Sequence, residues 1–260
     1  MLLFLLKLTG LTAIIILYII TSCFISLFCR KRPARIKKLA KNLSFISRLV
    51  LGNLGIRANL INRDKYNPED NYLILCNHLS YTDILIISSM LPSTFITSFE
   101  VKATKFLGGL SRTAGSIFVD RVNYSNIRKE ISQIKDLISQ GVQVVLFPEA
   151  TSSDGETVLP FKSGLMECIY GSGKKILLCT LNYKRVNKSP VDKNNRDILY
   201  WYGDMTFFPH LTALLKSGSI YAEIDIIGEV EPSDFLSRKE LSAFAHHKIK
   251  ETYLKNRGLS

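Results

Sequence analysis

Hydrophobic and polar positions along the chain follow three successive patterns. From Leu8 to Phe28, "LTGLTAIIILYIITSCFISLF", no charge interrupts an apolar run. As a helix this run extends about 31 Å, enough to cross a hydrocarbon core. Residues 34–56 then place Ile36, Leu39, Leu43, Ile46, Val50 and Leu54 at helical spacing, with a basic opposite face. That face fits either an anionic bilayer surface or the protein's own core, and periodicity does not separate the two. Past residue 60 come short apolar runs: "YLILC" (72–76), "TFITSF" (94–99), "SIFVD" (116–120), "VQVVLF" (142–147), "KILLCTL" (175–181), "DILYWY" (197–202) and "YAEIDII" (221–227).

Helical patterns separate several of these runs. Ser125 is placed to cap "NIRKEISQIKDLISQ", and Gly141 to end it. "FKSGLMECIYGSG" reads as a shorter helix, and a final helix is expected from about Ser233, its cap, to Lys255. Strands alternating with helices predict an α/β domain with a mostly parallel central sheet flanked by helices. The expected division is a membrane-anchoring part over 1–58, made of the apolar helix and the basic amphipathic helix, and an α/β domain over 59–260. The segment 184–197 is polar and reads as a surface loop.

Charge sharpens this picture. Net charge is +12, and residues 30–57 carry nine Lys or Arg and no acid. The cationic block follows the apolar run, which puts that flank in the cytoplasm. A cleaved signal peptide would carry its positive charge ahead of the run, where only Lys7 stands. An inner or cytoplasmic membrane location is therefore expected, with the α/β domain on the cytoplasmic side. The five cysteines show no C-x-x-C and read as reduced thiols.

Candidate chemistry begins in "LILCNHLSYTDILIISSM" (73–90), where a buried-strand pattern turns into a helix with His78 and Asp83 at the turn. Asp83 has an ordinary use as the last member of a capping box with Ser80. It can also hold one imidazole nitrogen of His78 and leave the other free as a base. No protein nucleophile accompanies that base. There is no G-x-S-x-G elbow, Cys76 reads as core, and the remaining histidines lack metal-ligand spacing, so no metal is expected. The fitting chemistry is one in which a substrate hydroxyl is the nucleophile. Arg121, Glu149 and Thr151 also follow predicted strand ends, and Lys162 starts a predicted helix. In a parallel sheet those ends share the ligand-binding edge.

Four blocks in order, "NHLSYTD", "GSIFVDR", "FPEATSSDG" and "ILLCTLNY", resemble the lysophospholipid acyltransferases, the family of 1-acylglycerol-3-phosphate acyltransferase. The resemblance covers about residues 60–230. It implies that His78 and Asp83 are catalytic, that Arg121 holds an acceptor phosphate, and that Lys102 and Lys162 assist. Glu149 and Thr151 are then expected to position the acceptor. The implied donor is acyl-CoA or acyl-carrier protein, with no other cofactor, and the implied partners are membrane lipids and a lysophospholipid acceptor. Ala150 replaces the family's usual Gly, Ser152 a frequent Arg, and Cys179 stands near a usual Pro. These departures bear on the acceptor headgroup, with lyso-ornithine lipid as the alternative to 1-acylglycerol-3-phosphate. A non-catalytic lipid-binding module would be expected to lack His78 or Asp83. Nucleic-acid binding is disfavoured, because the charge adjoins an apolar span and lacks interleaved aromatics.

Overall fold

The computed structural model describes residues 1–120 and 124–258, with only the backbone for 124–126. Helix α1 (Leu2–Phe28) and helix α2 (Arg32–Leu54) precede strand β1 (Ile56–Ile61). Then follow β2 (Leu73–Cys76), α3 (Thr82–Met90), β3 (Thr94–Ser98), α4 (Phe99–Ala103), α5 (Lys105–Thr113), β4 (Ile117–Val119), α6 (Tyr124–Ser139) and β5 (Val144–Leu146). The chain ends with β6 (Ile176–Val186), β7 (Ser189–Pro190), α7 (Phe207–Lys216), β8 (Ile220–Val230) and α8 (Arg238–Asn256).

One sheet runs in the order β1-β8-β6-β2-β5-β3-β4, with β7 paired to β6. Five of its seven pairings are parallel, and the antiparallel ones are β6 with β7 and with β8. The mostly parallel sheet expected from the alternation is therefore present. β2 and β5 are buried at every position, the mark of central strands covered on both faces. The C-terminal ends of β2, β3, β4 and β5 lie on one edge, as parallel pairing requires.

The apolar stripe of α2 resolves the ambiguity left by its periodicity. Ile36, Leu39, Leu43, Ile46, Val50 and Leu54 are all buried inside the protein. Leu11 and Tyr18 of α1 join the same hydrophobic cluster as the sheet. The boundary drawn at 58/59 falls inside β1. Helix α1 is long and apolar enough to cross a membrane. It also lies along the α/β body: Lys7 reaches the end of α2, Tyr18 donates to the Leu110 carbonyl, and Asn42 donates to Thr21 and Ser22. Its outer face leaves Leu2, Leu6, Ile16, Ile20, Phe24 and Leu27 exposed.

Three expectations are corrected. "DILYWY" is not a strand: Arg196–Ile198 is a 3-10 turn, and Leu199 and Tyr200 are both buried, which a half-covered strand does not allow for neighbours. "FKSGLMECIYGSG" holds a 3-10 helix at Gly164–Ile169 rather than an α-helix. The last helix starts later than Ser233, because Pro232–Asp234 forms its own turn. Ser237 is the cap: its hydroxyl accepts from Glu240 N, and Glu240 accepts from Leu236 N. Ser125 as the cap of α6 lies outside the described side chains.

Lys7 ties the N-terminal helix to the domain. Its Nζ donates to Leu54 O and to Ser217 O, each at 2.7 Å. Those carbonyls belong to the C-terminal ends of α2 and α7, where helix dipoles favour a cation. Lys7→Met keeps most of the apolar stem and removes both charge-assisted bonds. We expect it to lower stability by about 2–4 kcal/mol, seen as a lower melting temperature of the detergent-solubilised chain. An unchanged melting temperature would remove this tie from the account.

Candidate active site

The turn after β2 is shaped before any catalytic group is placed. Asn77 bridges β2 to β6 with its side chain, donating to Leu181 O at 3.0 Å and accepting from Leu181 N at 2.8 Å. His78 O accepts from Ser153 N, and Leu79 O accepts from Trp201 N. The chain therefore leaves β2 clamped from both sides, and His78 emerges at the catalytic edge.

Asp83 collects the donors of this turn. Its Oδ2 accepts from His78 Nδ1 at 2.9 Å, Leu79 N at 2.6 Å and Ser80 N at 2.9 Å. Its Oδ1 accepts from Tyr183 OH at 2.7 Å, and that hydroxyl is 2.6 Å from Thr82 Oγ1. The capping and orienting roles coexist in one carboxylate. The His78 and Asp83 side chains are 19% and 0% exposed respectively. A carboxylate that accepts at Nδ1 holds the proton there, leaving Nε2 unprotonated. The imidazole also stacks on Phe147, centroids 4.1 Å apart and planes 9° apart. Ring and carboxylate together fix both tautomer and plane.

Glu149 is tied to the backbone on both sides of its carboxyl. The side chain is buried, and its two oxygens accept from His78 N and Leu159 N, each at 2.7 Å. It holds the backbone of the catalytic turn. Burial pushes its carboxyl up to about 7, against the downward pull of the two backbone bonds. The neighbouring Ala150 has φ 65°, in the left-handed region. The alanine thus holds a conformation that glycine adopts freely, at a cost of about 1–2 kcal/mol.

Thr151 and Lys162 are exposed at this edge. Lys162 N donates to Pro148 O, which folds the start of the 161–164 segment back beside the Glu149 turn. Lys102 sits in α4, just past β3, with Nζ 4.3 Å from the Phe99 ring centroid and 5.4 Å from that of Phe118. Arg121 lies outside the described residues. Ser152, where an Arg is frequent, turns inward and donates to Trp201 O. Cys76 is fully buried and burial pushes its thiol up, so it is no nucleophile. Sequence reasoning missed Tyr183 as the support of Asp83; its only signal is a Tyr closing the apolar fourth block.

An apolar cavity of about 180 Å³ opens next to the catalytic turn. Its walls come from α1, α2, α3, α5 and α7, and Tyr81 and Thr82 bring it to the residues flanking Asp83. Its lining is almost wholly carbon, with Leu, Ile and Phe side chains predominating.

A family model described as Acyltransferase matches residues 57–184. Lyso-ornithine lipid O-acyltransferase of Rhizobium meliloti is 28% identical over 206 residues, covering 76% of this chain and 70% of that protein. Its counterpart from Rhodobacter capsulatus is 30% identical over 205 residues, with 76% and 70% covered. 1-Acyl-sn-glycerol-3-phosphate acyltransferase of Neisseria gonorrhoeae is 34% identical over 118 residues, 45% of this chain and 46% of that protein. The crystal structure of the 1-acyl-sn-glycerophosphate acyltransferase PlsC from Thermotoga maritima superposes with a TM-score of 0.71 at 18% identity, covering 98% of this chain and 95% of that one. It shares the fold.

Two outcomes test the carboxylates. Asp83→Asn can keep its oxygen toward His78 and turn its amide toward Tyr183, so the tautomer survives but the charge that steadies an imidazolium does not. Turnover should fall at least about 100-fold while the melting temperature shifts by only a few degrees; unchanged turnover would leave Asp83 a cap alone. For Glu149 the folded state holds its proton more tightly than the unfolded state. Its contribution is therefore fully present below about 4.5 and is lost as pH rises through about 7. Denaturation across that window should show up to about 3 kcal/mol of falling stability that Glu149→Gln removes. An identical slope in the variant would contradict the buried carboxyl as its source.

Proposed function

This chain belongs to the acyltransferase family, and from that premise we propose that it moves a fatty acyl group from a thioester donor to the free hydroxyl of a membrane lysolipid. The observation that carries the reading is the hydrogen-bonded His78–Asp83 pair, beside an apolar cavity that the neighbouring Tyr81, Thr82 and Ile84 line. His78 Nε2 takes the proton of the acceptor hydroxyl as its oxygen attacks the thioester carbonyl. The new C–O bond forms, the C–S bond breaks, and the departing thiolate receives the proton from the imidazolium. Asp83 stabilises that transient cation. The apolar cavity receives an acyl chain and holds the carbonyl near the imidazole. Acyl-CoA and acyl-carrier protein both supply the thioester, and no metal or further cofactor takes part.

The acceptor we favour is 1-acylglycerol-3-phosphate. Lys102 and Lys162 supply cations at the catalytic edge, and Arg121 closes the second block as a two-pronged phosphate donor. Lyso-ornithine lipid is the second reading. It is favoured by the inward-turned Ser152, which leaves the loop without a frequent cation, and by the activity of the relatives matched over the greater length. The exposed apolar face of α1 enters the lipid, and the basic residues after it set the domain on the cytoplasmic side.

Membranes carrying the wild type or His78→Ala, offered both acceptors with each donor, test the reading. The variant should lose about 10²- to 10⁴-fold in rate with every pair; retained turnover would end the base assignment. Arg121→Lys separates the acceptors. It should lower kcat/KM for the phosphate-bearing acceptor by about 10- to 100-fold, mainly through KM. A wild type that prefers lyso-ornithine lipid and ignores the substitution would exchange the two readings.

A further inference from the structure

A second cavity, of about 270 Å³, opens where α1 ends and α2 begins. Arg32, Arg35 and Arg112 line it together with Ser26, Gly115 and Ser116. Among the described residues none of the three guanidinium groups has an ion pair; Arg112 donates to Lys102 O, a backbone contact that leaves its charge unneutralised. Arg32 and Arg112 reach the cleft from the surface and Arg35 is half-buried, so the three like charges set up a positive field there that favours an anion among them. Arg offers forked donors that match a phosphate, and hydroxyls of Ser26 and Ser116 add smaller ones. The start of α2 lies here too, so the positive end of its dipole adds to the same field.

This cleft is not the acceptor site. Gly115 and Ser116 stand before β4, whereas the catalytic edge follows its end at Val119. The surroundings indicate the source of the anion. Ser26 lies within the last turns of α1, beside Phe24, Leu27 and Phe28, which are 63%, 74% and 69% exposed. Side chains this apolar belong in lipid, which sets the cleft at headgroup depth. Ser116 also lines the apolar cavity, so the cleft is polar toward the arginines and adjoins carbon on its other side.

We propose that this three-arginine cleft binds the phosphate of an anionic phospholipid of the host membrane, a lipid site separate from the catalytic edge. The bound headgroup pins the α1–α2 corner to the bilayer surface and joins α2 to α5, two walls of the apolar cavity. Spread-out surface charge would attract anionic lipid without a defined site, and exposed Lys31, Lys37 and Lys38 on the same helix provide the matched control.

The test uses the full chain in neutral detergent, titrated with dioctanoyl phosphatidylglycerol, dioctanoyl phosphatidylcholine or adenosine 3′,5′-bisphosphate, the last standing for the nucleotide end of a CoA donor. Binding is read by calorimetry, and circular dichroism checks the fold of each variant. The combined Arg32→Gln, Arg35→Gln, Arg112→Gln variant should bind phosphatidylglycerol about 100-fold more weakly, and Lys31→Gln, Lys37→Gln, Lys38→Gln less than about 3-fold. Arg35→Gln alone, a milder change, should cost about 10-fold. The phosphatidylcholine and bisphosphate isotherms should differ little between wild type and variants. Equal losses in the arginine and lysine variants would reduce the cleft to diffuse charge and overturn the proposal. Selective loss of bisphosphate binding would assign the cleft to the donor and overturn the lipid assignment.

Discussion

The carboxylate of Asp83 is the constraint on which the catalytic edge depends. It is wholly buried and forms no ion pair with Lys or Arg among the described residues, so hydrogen-bond donors must replace the water it lost. Four supply that replacement: two backbone amides of the turn, the imidazole, and the Tyr183 hydroxyl. Each donor fixes a different part of the molecule. The amides set the path from β2 into α3, the imidazole its tautomer, and Tyr183 the position of β6 against α3. Loosening any one leaves a buried carboxylate with a poorer replacement for its lost water. The same bonds that stabilise the turn therefore also aim the base.

Glu149 repeats the arrangement one strand over. Two carboxylates, neither paired with Lys or Arg among the described residues, hold the backbone around one histidine from opposite sides. The difference lies in how fully each is satisfied. Asp83 accepts four donors, whereas Glu149 accepts two backbone amides, and burial pushes its carboxyl up to about 7. The carboxyl that orients the imidazole is met by more donors than the one that only holds a loop. The clamp extends outward through Ser153 on His78 O and Trp201 on Leu79 O, so the third block and the segment before α7 brace the turn without touching the reaction.

The sheet and the catalytic pair were legible because their signals are local. β2, β5 and β6 are continuous apolar runs, and His78 and Asp83 are close in sequence. Other features depend on distant neighbours. β1 was missed because "IRANLI" is only half buried and forms by pairing with β8, at the far end of the chain. "DILYWY" looked like a strand because it is apolar and aromatic, but Leu199 and Tyr200 are buried in a segment that pairs with no ladder. Glu149 faces inward because Leu159 N and His78 N lie behind it, a fact no motif carries. The stripe on α2 read equally as a lipid face or a core face, and only the packing of α1, α3 and the sheet against it decides.

The central claim is that the acceptor hydroxyl, activated by His78, attacks the donor directly, with no acyl group passing through the protein. A rapid-quench experiment with labelled acyl donor and stoichiometric enzyme tests this most directly. Without acceptor, the account predicts neither labelled protein nor a burst of free thiol, and with lysolipid present it predicts thiol and product appearing together. A burst of thiol equal to the enzyme concentration in the absence of acceptor, with label retained on the denatured chain, would contradict it.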